Sequence, residues 1–447
     1  MTENVKNPEN PRKTAVKLLC RIEEGNAYSN LLLDEHFRKS RMDARDKSFC
    51  TALFYGTLER RLTLDLIIEK YIVRRGDKLS AEVRNILRTS IFQLLYMDSV
   101  PDSAAVNEAV KLASKNRNPA VKGFVNGVLR AFIRDEKRIP EPEGLAEKLS
   151  AAYSCPLPLV EKWIKELGEK NTAALLADSL GRPPVTVRVN TTKVTPEEFA
   201  ELVKDEGFTV KRNAYIPEAL EILGGAVETS KAYADGLMHV QDVSCMLCCK
   251  ALEVDGHYTV LDMCAAPGGK TFTLAEMMNG EGKLIAFDLH KNRVKLITEG
   301  AKRLGLTNVT AEVNDAKVFR EDIPQADRVL CDVPCSGLGV IRRKPEIKYK
   351  NLTDFDKLPM VQGNILDTCS RYVKQNGILV YSTCTISEAE NTAVVNGFLK
   401  LHSDFELVPL WNEGRFAGES MLTVLPAYFG SDGFFIAKMK RRSAAEG

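Results

Sequence analysis

The sequence predicts a multidomain protein: an all-α N-terminal domain, a small α+β unit and a C-terminal α/β domain whose sheet is mostly parallel. Three observations lead there. The 447-residue chain exceeds the roughly 100 to 200 residues of one ordinary domain. Apolar residues recur at three- and four-residue spacing as far as residue 137. From residue 236 onward, short apolar runs ending in Gly, Pro or Asp alternate with helical patterns.

The helical stretches of the first domain, residues 1–140, include "AVKLLCRI", "DLIIEKYI", "VRNILRTSIFQLLYM" and "FVNGVLRAFI", with turn signals such as "VPDS" and "NRNPA" between them. "IPEPEG" at residues 139–144 reads as a linker. Residues 145–235 then give two helical stretches, "PLVEKWIKELG" and "NTAALLADSL", followed by strand, helix and strand in "PVTVRVN", "TPEEFAELVKDEGF" and "TVKRN". Thr195 suits the N-cap of that last helix, Pro196 its first position and Gly207 its stop. In residues 236–442 the strands are "YTVLDM", "GKLIAFDL", "VTAEVND", "RVLCDV" and "GILVYST", with helices such as "KNRVKLITEGAKRLG" between several of them. Alternation of this kind builds a parallel sheet covered on both faces, and ligands bind outside the carboxyl ends of its strands.

Charge is unevenly spread. The net charge is +2, yet residues 1–140 carry 26 Lys+Arg against 18 Asp+Glu, a balance of +8 that leaves −6 for the rest. A basic module suggests a polyanionic partner, with a solvated helix rim as the alternative. Its basic residues cluster in "RKSRMDARDK", at Arg60 and Arg61 and at Arg74 and Arg75, with Phe54 and Tyr55 close by. Eleven cysteines, an odd number, argue against a disulfide framework. "CMLCC" at residues 245–249 lies in a helical pattern without a second pair at zinc spacing, so it reads as packing, and five scattered histidines suggest no metal. No apolar run approaches the ~18 residues of a membrane span, and the N-terminus lacks the apolar part of a secretory signal, which predicts a cytoplasmic protein.

"VLDMCAAPGGKT" at residues 260–271 places a Gly-rich loop between the first strand of the α/β domain and a helix. Gly268 and Gly269 let the backbone approach a ligand closely. A phosphate-binding P-loop would need glycine where Cys264 stands, and the G-x-G-x-x-G dinucleotide pattern is absent. Asp288 ends the second strand, 26 residues after Asp262, where a carboxylate accepts ribose hydroxyls. Asp315 follows the third strand and suits an adenine amino group. A nucleoside cofactor with no required polyphosphate fits this set, and S-adenosylmethionine is one.

The fourth strand ends in "CDVPCSG" and the fifth in "YSTCT", which puts Cys335 and Cys384 at neighbouring strand ends. Cytosine C5 is too weak a nucleophile to take a methyl group unaided, so a thiolate must first add to C6. A base must later remove the C5 proton. Asp332, protonated through burial, is placed to protonate N3. Two inert buried cysteines are the alternative. Spacing leaves open which thiol attacks. "VIRRKPEIKYK" follows, with Arg342, Arg343, Lys344, Lys348 and Lys350 around Tyr349, a combination suited to a phosphate backbone and a stacked, unpaired base.

"LDMCAAPGGKT", "DVPCSGLGVIRRKPEIK" and "YSTCT" resemble the signature motifs of the NOL1/NOP2/Sun family of RNA (cytosine-5)-methyltransferases. The helical region, with "LFYGTLERR" and "NEAVKLAS", resembles the NusB-like RNA-binding domain, so the resemblance spans nearly the whole chain. It implies a Rossmann-like class I methyltransferase domain, with the middle unit as an RNA-binding element. It also implies cofactor contacts from Cys264, Ala265, Ala266, Pro267, Gly268, Gly269, Lys270, Asp288, Asp315 and Asp332. Cys384 becomes the nucleophile and Cys335 the thiol of product release. The combination of domains implies a monomer acting on 16S ribosomal RNA of the small subunit, without metal. Two other functions compete: a NusB-like RNA-binding protein with a non-catalytic domain, and a cytosine-5 methyltransferase acting on another RNA. A DNA cytosine methyltransferase, in which the Pro-Cys thiol attacks, leaves the basic domain unexplained.

Overall fold

The computed structural model describes residues 9–25, 28–72 and 79–443. It divides into two compact units: residues 1–182 with 341–350, and residues 183–340 with 351–447. Among the described residues no helix is long and apolar enough to cross a membrane.

The first unit is all-helical, as expected. Its α-helices are Pro11–Glu23, Ser29–Lys39, Ala44–Glu59, Arg61–Lys70, Ala81–Tyr96, Asp102–Ala113, Ala120–Arg134, Leu145–Tyr153 and Leu157–Asp178. Side-chain caps start three of them, with Asn10, Asp43 and Ser80 accepting from the backbone N–H groups of Lys13, Asp46 and Val83. Ala81–Tyr96 is the central helix, buried from Val83 to Leu94 on almost every side. A helix can be buried all round only if its polar residues find partners. Arg88 does so with Glu23 and with both oxygens of Asp65. The stretches on either side of Gly168 meet at a kink where that glycine has φ of +79°. Arg74 and Arg75 lie outside the described residues.

The basic segment 341–350 belongs to this helical unit, and part of it is interior. Glu346 accepts from the Ser29 backbone N–H and hydroxyl, both at 2.9 Å. Lys348, expected to contact RNA, is instead 2% exposed and donates to the Glu59 carbonyl at 2.8 Å. Tyr349, expected to stack on a base, lies under the Arg61 guanidinium at 3.8 Å and bonds Glu59 and Ser154 through its hydroxyl. The segment's local composition resembles a surface, but its alternate residues satisfy carbonyls and ions of distant helices. Arg342 donates to the Arg182 carbonyl. Lys344 and Lys350 flank the exposed ring of Tyr28 at 4.9 and 5.4 Å.

The second unit starts with β1 (Val185–Val189), β2 (Thr209–Arg212), β3 (Ala219–Leu223) and β4 (Met238–Val240), an antiparallel sheet in the order β2-β3-β1-β4. The helix Pro196–Asp205 carries the expected cap at Thr195, reinforced by Glu198 bonding back to the Thr195 N–H. β3 and β4 are additions to the strand, helix and strand expected, and β4 lies beyond residue 235.

The larger sheet contains β5 (Thr259–Asp262), β6 (Lys283–Asp288), β7 (Val309–Val313), β8 (Ala326–Asp332), β9 (Val373–Thr383), β10 (Phe405–Leu407), β11 (Met421–Val424) and β12 (Phe434–Arg441). Its order is β10-β12-β9-β8-β5-β6-β7, with β11 on β12. β5 to β9 pair in parallel, and the three late strands add antiparallel. Alternation along β5 and β6 explains the two cores. Val260, Leu284 and Ala286 face the helices Val243–Leu252, Gly269–Met277 and Lys291–Leu304, while Leu261, Ile285 and Phe287 face Leu358–Ser370 and Thr392–Leu401. Cys248 and Cys249 of "CMLCC" pack in the first core. Strand order reverses between β5 and β8, and this switch point opens a crevice at the carboxyl ends of both.

Burial pushes the Lys348 pKa down to about 8, against 10.5 in an unfolded chain. Below pH 8 the lysine is charged in both states. Between about pH 8 and 10.5 the unfolded chain holds a proton that the folded one has released, so folding gains up to about 3 kcal/mol as pH rises. Urea unfolding of Lys348→Met and the parent protein across that window should show the parent's gain and its loss in the variant.

Candidate active site

The loop after β5 is shaped by contacts that leave no side-chain room at its glycine. Gly268 has φ of +112°, and a Cβ there would stand 2.4 Å from the Phe272 ring. The Ala266–Pro267 peptide is cis, Ala265 and Ala266 are buried, and the Ala265 N–H bonds the Phe287 carbonyl of β6 at 2.7 Å. Pro267 is exposed and Cys264 half-buried, its thiol pushed well up by burial. Gly269 opens the helix that follows.

Three acidic strand ends surround this loop. Asp262 is buried, with Thr271 donating to Oδ2 at 2.7 Å and Oδ1 left without a partner; burial pushes its pKa up to about 7. Asp288 accepts from the His290 N–H and pairs with Arg293 at 3.2 Å, and Arg293 also bonds the Ala266 carbonyl. Asp315 accepts from the Lys317 N–H at 3.0 Å. Beside it the buried Asn314 bonds the Asp288 carbonyl through its backbone, while its side-chain Nδ2 has no partner. Asn314 was not singled out from sequence. Its signal was its place beside Asp315 at a strand end, indistinguishable there from an ordinary turn residue.

Lys270 turns from the loop to the end of β8 and donates to Asp332 Oδ2 at 2.7 Å, while the Ser382 hydroxyl donates to Oδ1 at 2.8 Å. Burial opposes the Lys270 charge, yet Asp332 and the nearby thiols Cys245 and Cys248 outweigh it and hold the ammonium well above its ordinary pKa. Asp332 thus has a partner that the sequence did not indicate, a lysine that reaches it from the other side of the switch point.

Cys335 and Cys384 come together, their sulfurs 3.1 Å apart. The contact with Cys384, and then burial, raises the Cys335 pKa well above that of a free thiol. The residues of segment 341–350 belong to the helical unit.

Residues 249–440 match the family model of 16S rRNA methyltransferase RsmB/F, residues 9–134 that of the NusB family, and residues 155–228 the ferredoxin-like domain of RsmF/B-like methyltransferases. A protein of Bacillus subtilis (strain 168) named "Probable ribosomal RNA small subunit methyltransferase B" is 37% identical over 96% of this chain and 98% of its own length. The chain belongs to the RsmB/F family of 16S rRNA methyltransferases. A ribosomal RNA small subunit methyltransferase B of Escherichia fergusonii (strain ATCC 35469) is 31% identical over 94% of this chain and 96% of its own. The crystal structure of PH0851 is 28% identical with a TM-score of 0.81, covering 98% of this chain and all of that one. The resemblance expected from the motifs is confirmed, as are the NusB-like helical domain and the methyltransferase fold.

RsmB/F membership makes S-adenosylmethionine the cofactor, and the crevice fits it. A loop with no space for a Cβ at Gly268, an acceptor without partner on Asp262 and a donor without partner on Asn314 suit a nucleoside with hydroxyl and amino groups. Gly268→Ala should weaken S-adenosylmethionine binding by tenfold or more, of order 1–3 kcal/mol, through its positive φ and the Phe272 ring; calorimetric titration of the cofactor measures it.

Proposed function

We propose that the protein transfers a methyl group from S-adenosylmethionine to C5 of a cytosine in 16S ribosomal RNA through a covalent bond between Cys384 and C6. The observation that carries this reading is the sulfur pair at the β8 and β9 ends, where Cys335 and Cys384 stand 3.1 Å apart. The loop 264–270 with Asp288 and Asp315 holds the cofactor, which supplies an electrophilic methyl group.

Each remaining step belongs to residues of the chain. The Cys384 thiolate adds to C6. Protonation at N3 falls to Asp332, which the Lys270 ammonium and the Ser382 hydroxyl hold in place at the end of β8. Cys335, its own proton passed to water, takes the C5 proton as a thiolate, and the bond between C6 and the Cys384 sulfur breaks so that Cys384 leaves as a thiolate and the product forms.

The domain assignment follows the same reading: a NusB-like RNA-binding domain in residues 1–140, an α+β RNA-binding unit in 145–235 and a methyltransferase domain in 236–442. Arg342, Arg343 and Lys344 contact the RNA backbone. Tyr28, exposed between Lys344 and Lys350, replaces Tyr349 as the ring able to stack on an unpaired base. The protein works as a cytoplasmic monomer, without metal.

Incubation of Cys335→Ser with S-adenosylmethionine and small-subunit RNA should accumulate a denaturant-resistant protein–RNA adduct. Cys384→Ser should give neither adduct nor methylated RNA, and the opposite pattern would exchange the two roles.

A further inference from the structure

Glu390 is a buried carboxylate that the chemistry above does not use, 2% exposed in the turn Glu388–Glu390. Such a group is costly to bury unless several donors hold it. Three neutral donors do so here: the Ser336 N–H at 2.8 Å, the Ser336 hydroxyl at 2.6 Å and the Gln362 amide at 3.0 Å. Gln362 also donates to the Pro334 carbonyl at 3.0 Å. The residues on both sides of Cys335 are therefore fixed, Pro334 through Gln362 and Ser336 through Glu390.

The same assembly reaches the other sulfur. The Ser336 and Thr385 hydroxyls are 2.9 Å apart, and Thr385 directly follows Cys384. From the other direction the Gly339 N–H bonds the Cys384 carbonyl, and Gly433 bonds the Gly339 carbonyl. A Cβ on Gly339 would stand 2.0 Å from the Gly433 oxygen, so that side has no slack. Glu390 thus holds the Cys335 loop directly at Ser336, and the Ser336 hydroxyl carries that hold on to Thr385 beside Cys384.

We propose that Glu390 is a positioning residue that keeps the Cys335 and Cys384 sulfurs in contact by clamping Ser336, and that it thereby governs release of the RNA adduct. It touches neither substrate nor cofactor and acts through Cys335. Its negative charge also opposes the Cys335 thiolate, adding to the effect of Cys384. The catalytic half of this inference rests on the proposed reading that both cysteines react.

The test uses the full-length protein with Glu390→Gln, which keeps an acceptor for Ser336 but turns an amide against Gln362, and with Ser336→Ala, which removes only the hydroxyl link. Dibromobimane, which joins two neighbouring thiols, is added without RNA, and the Cys335–Cys384 cross-link is read by peptide mass. Methylation of small-subunit RNA and the denaturant-resistant adduct are measured in parallel. Glu390→Gln should lower the cross-link yield and kcat by about tenfold or more, leave KM for RNA unchanged and accumulate adduct; Ser336→Ala should do the same more weakly. A cross-link that is unchanged in both variants overturns the positioning role. A cross-link that falls while kcat holds and no adduct gathers upholds the positioning and overturns the reading that these thiols react. Should Glu390→Gln not fold, Ser336→Ala decides, and an unchanged cross-link in it overturns the proposal.

Discussion

The ion pair between Lys270 and Asp332 spans the switch point of the large sheet, and the site is arranged around it. Lys270 belongs to the helix that follows β5, and Asp332 ends β8, the strand on the far side of the reversal. The pair is mostly shielded from water, so removing either partner leaves a charge that the crevice cannot solvate. It holds the Gly-rich loop on one side and the two thiol loops on the other at a fixed separation. A methyl donor and a thiolate brought to a single base need that constancy, because transfer depends on near-contact between reacting atoms.

Around that pair the chemistry divides by strand. Ends of β5, β6 and β7 carry the groups suited to a nucleoside, and ends of β8 and β9 carry the thiols. The two cysteines lie side by side, and in our reading they divide the work, Cys384 attacking the base and Cys335 serving release of the product.

The sequence made β5 to β9 legible because each is an apolar run closed by Gly, Pro or Asp, and the loop glycines, acidic strand ends and two cysteines follow from those positions. β10 and β4 were not legible, since three residues carry no periodicity. β12 is long, yet its pairing with β9 runs opposite to the alternating rhythm before it. Within the site, the Asp332 ion pair could not be seen because Lys270 lies 62 residues away in sequence. Lys348 and Tyr349 misled for the same reason. Basic residues beside an aromatic look alike whether they face solvent or hold the Glu59 carbonyl 289 or 290 residues away.

Segment 341–350 bears on how the protein is made. A ribosome releases the chain from its N-terminus, and domains ordinarily fold in that order as they emerge. Here the first unit to appear lacks Glu346, Lys348 and Tyr349 until residue 350 has been synthesised, by which time most of the 447 residues are out. Ser29, the Glu59 carbonyl and the Arg61 guanidinium wait for partners encoded beyond β8. Completion of the helical unit is thereby tied to translation of the chain as far as residue 350.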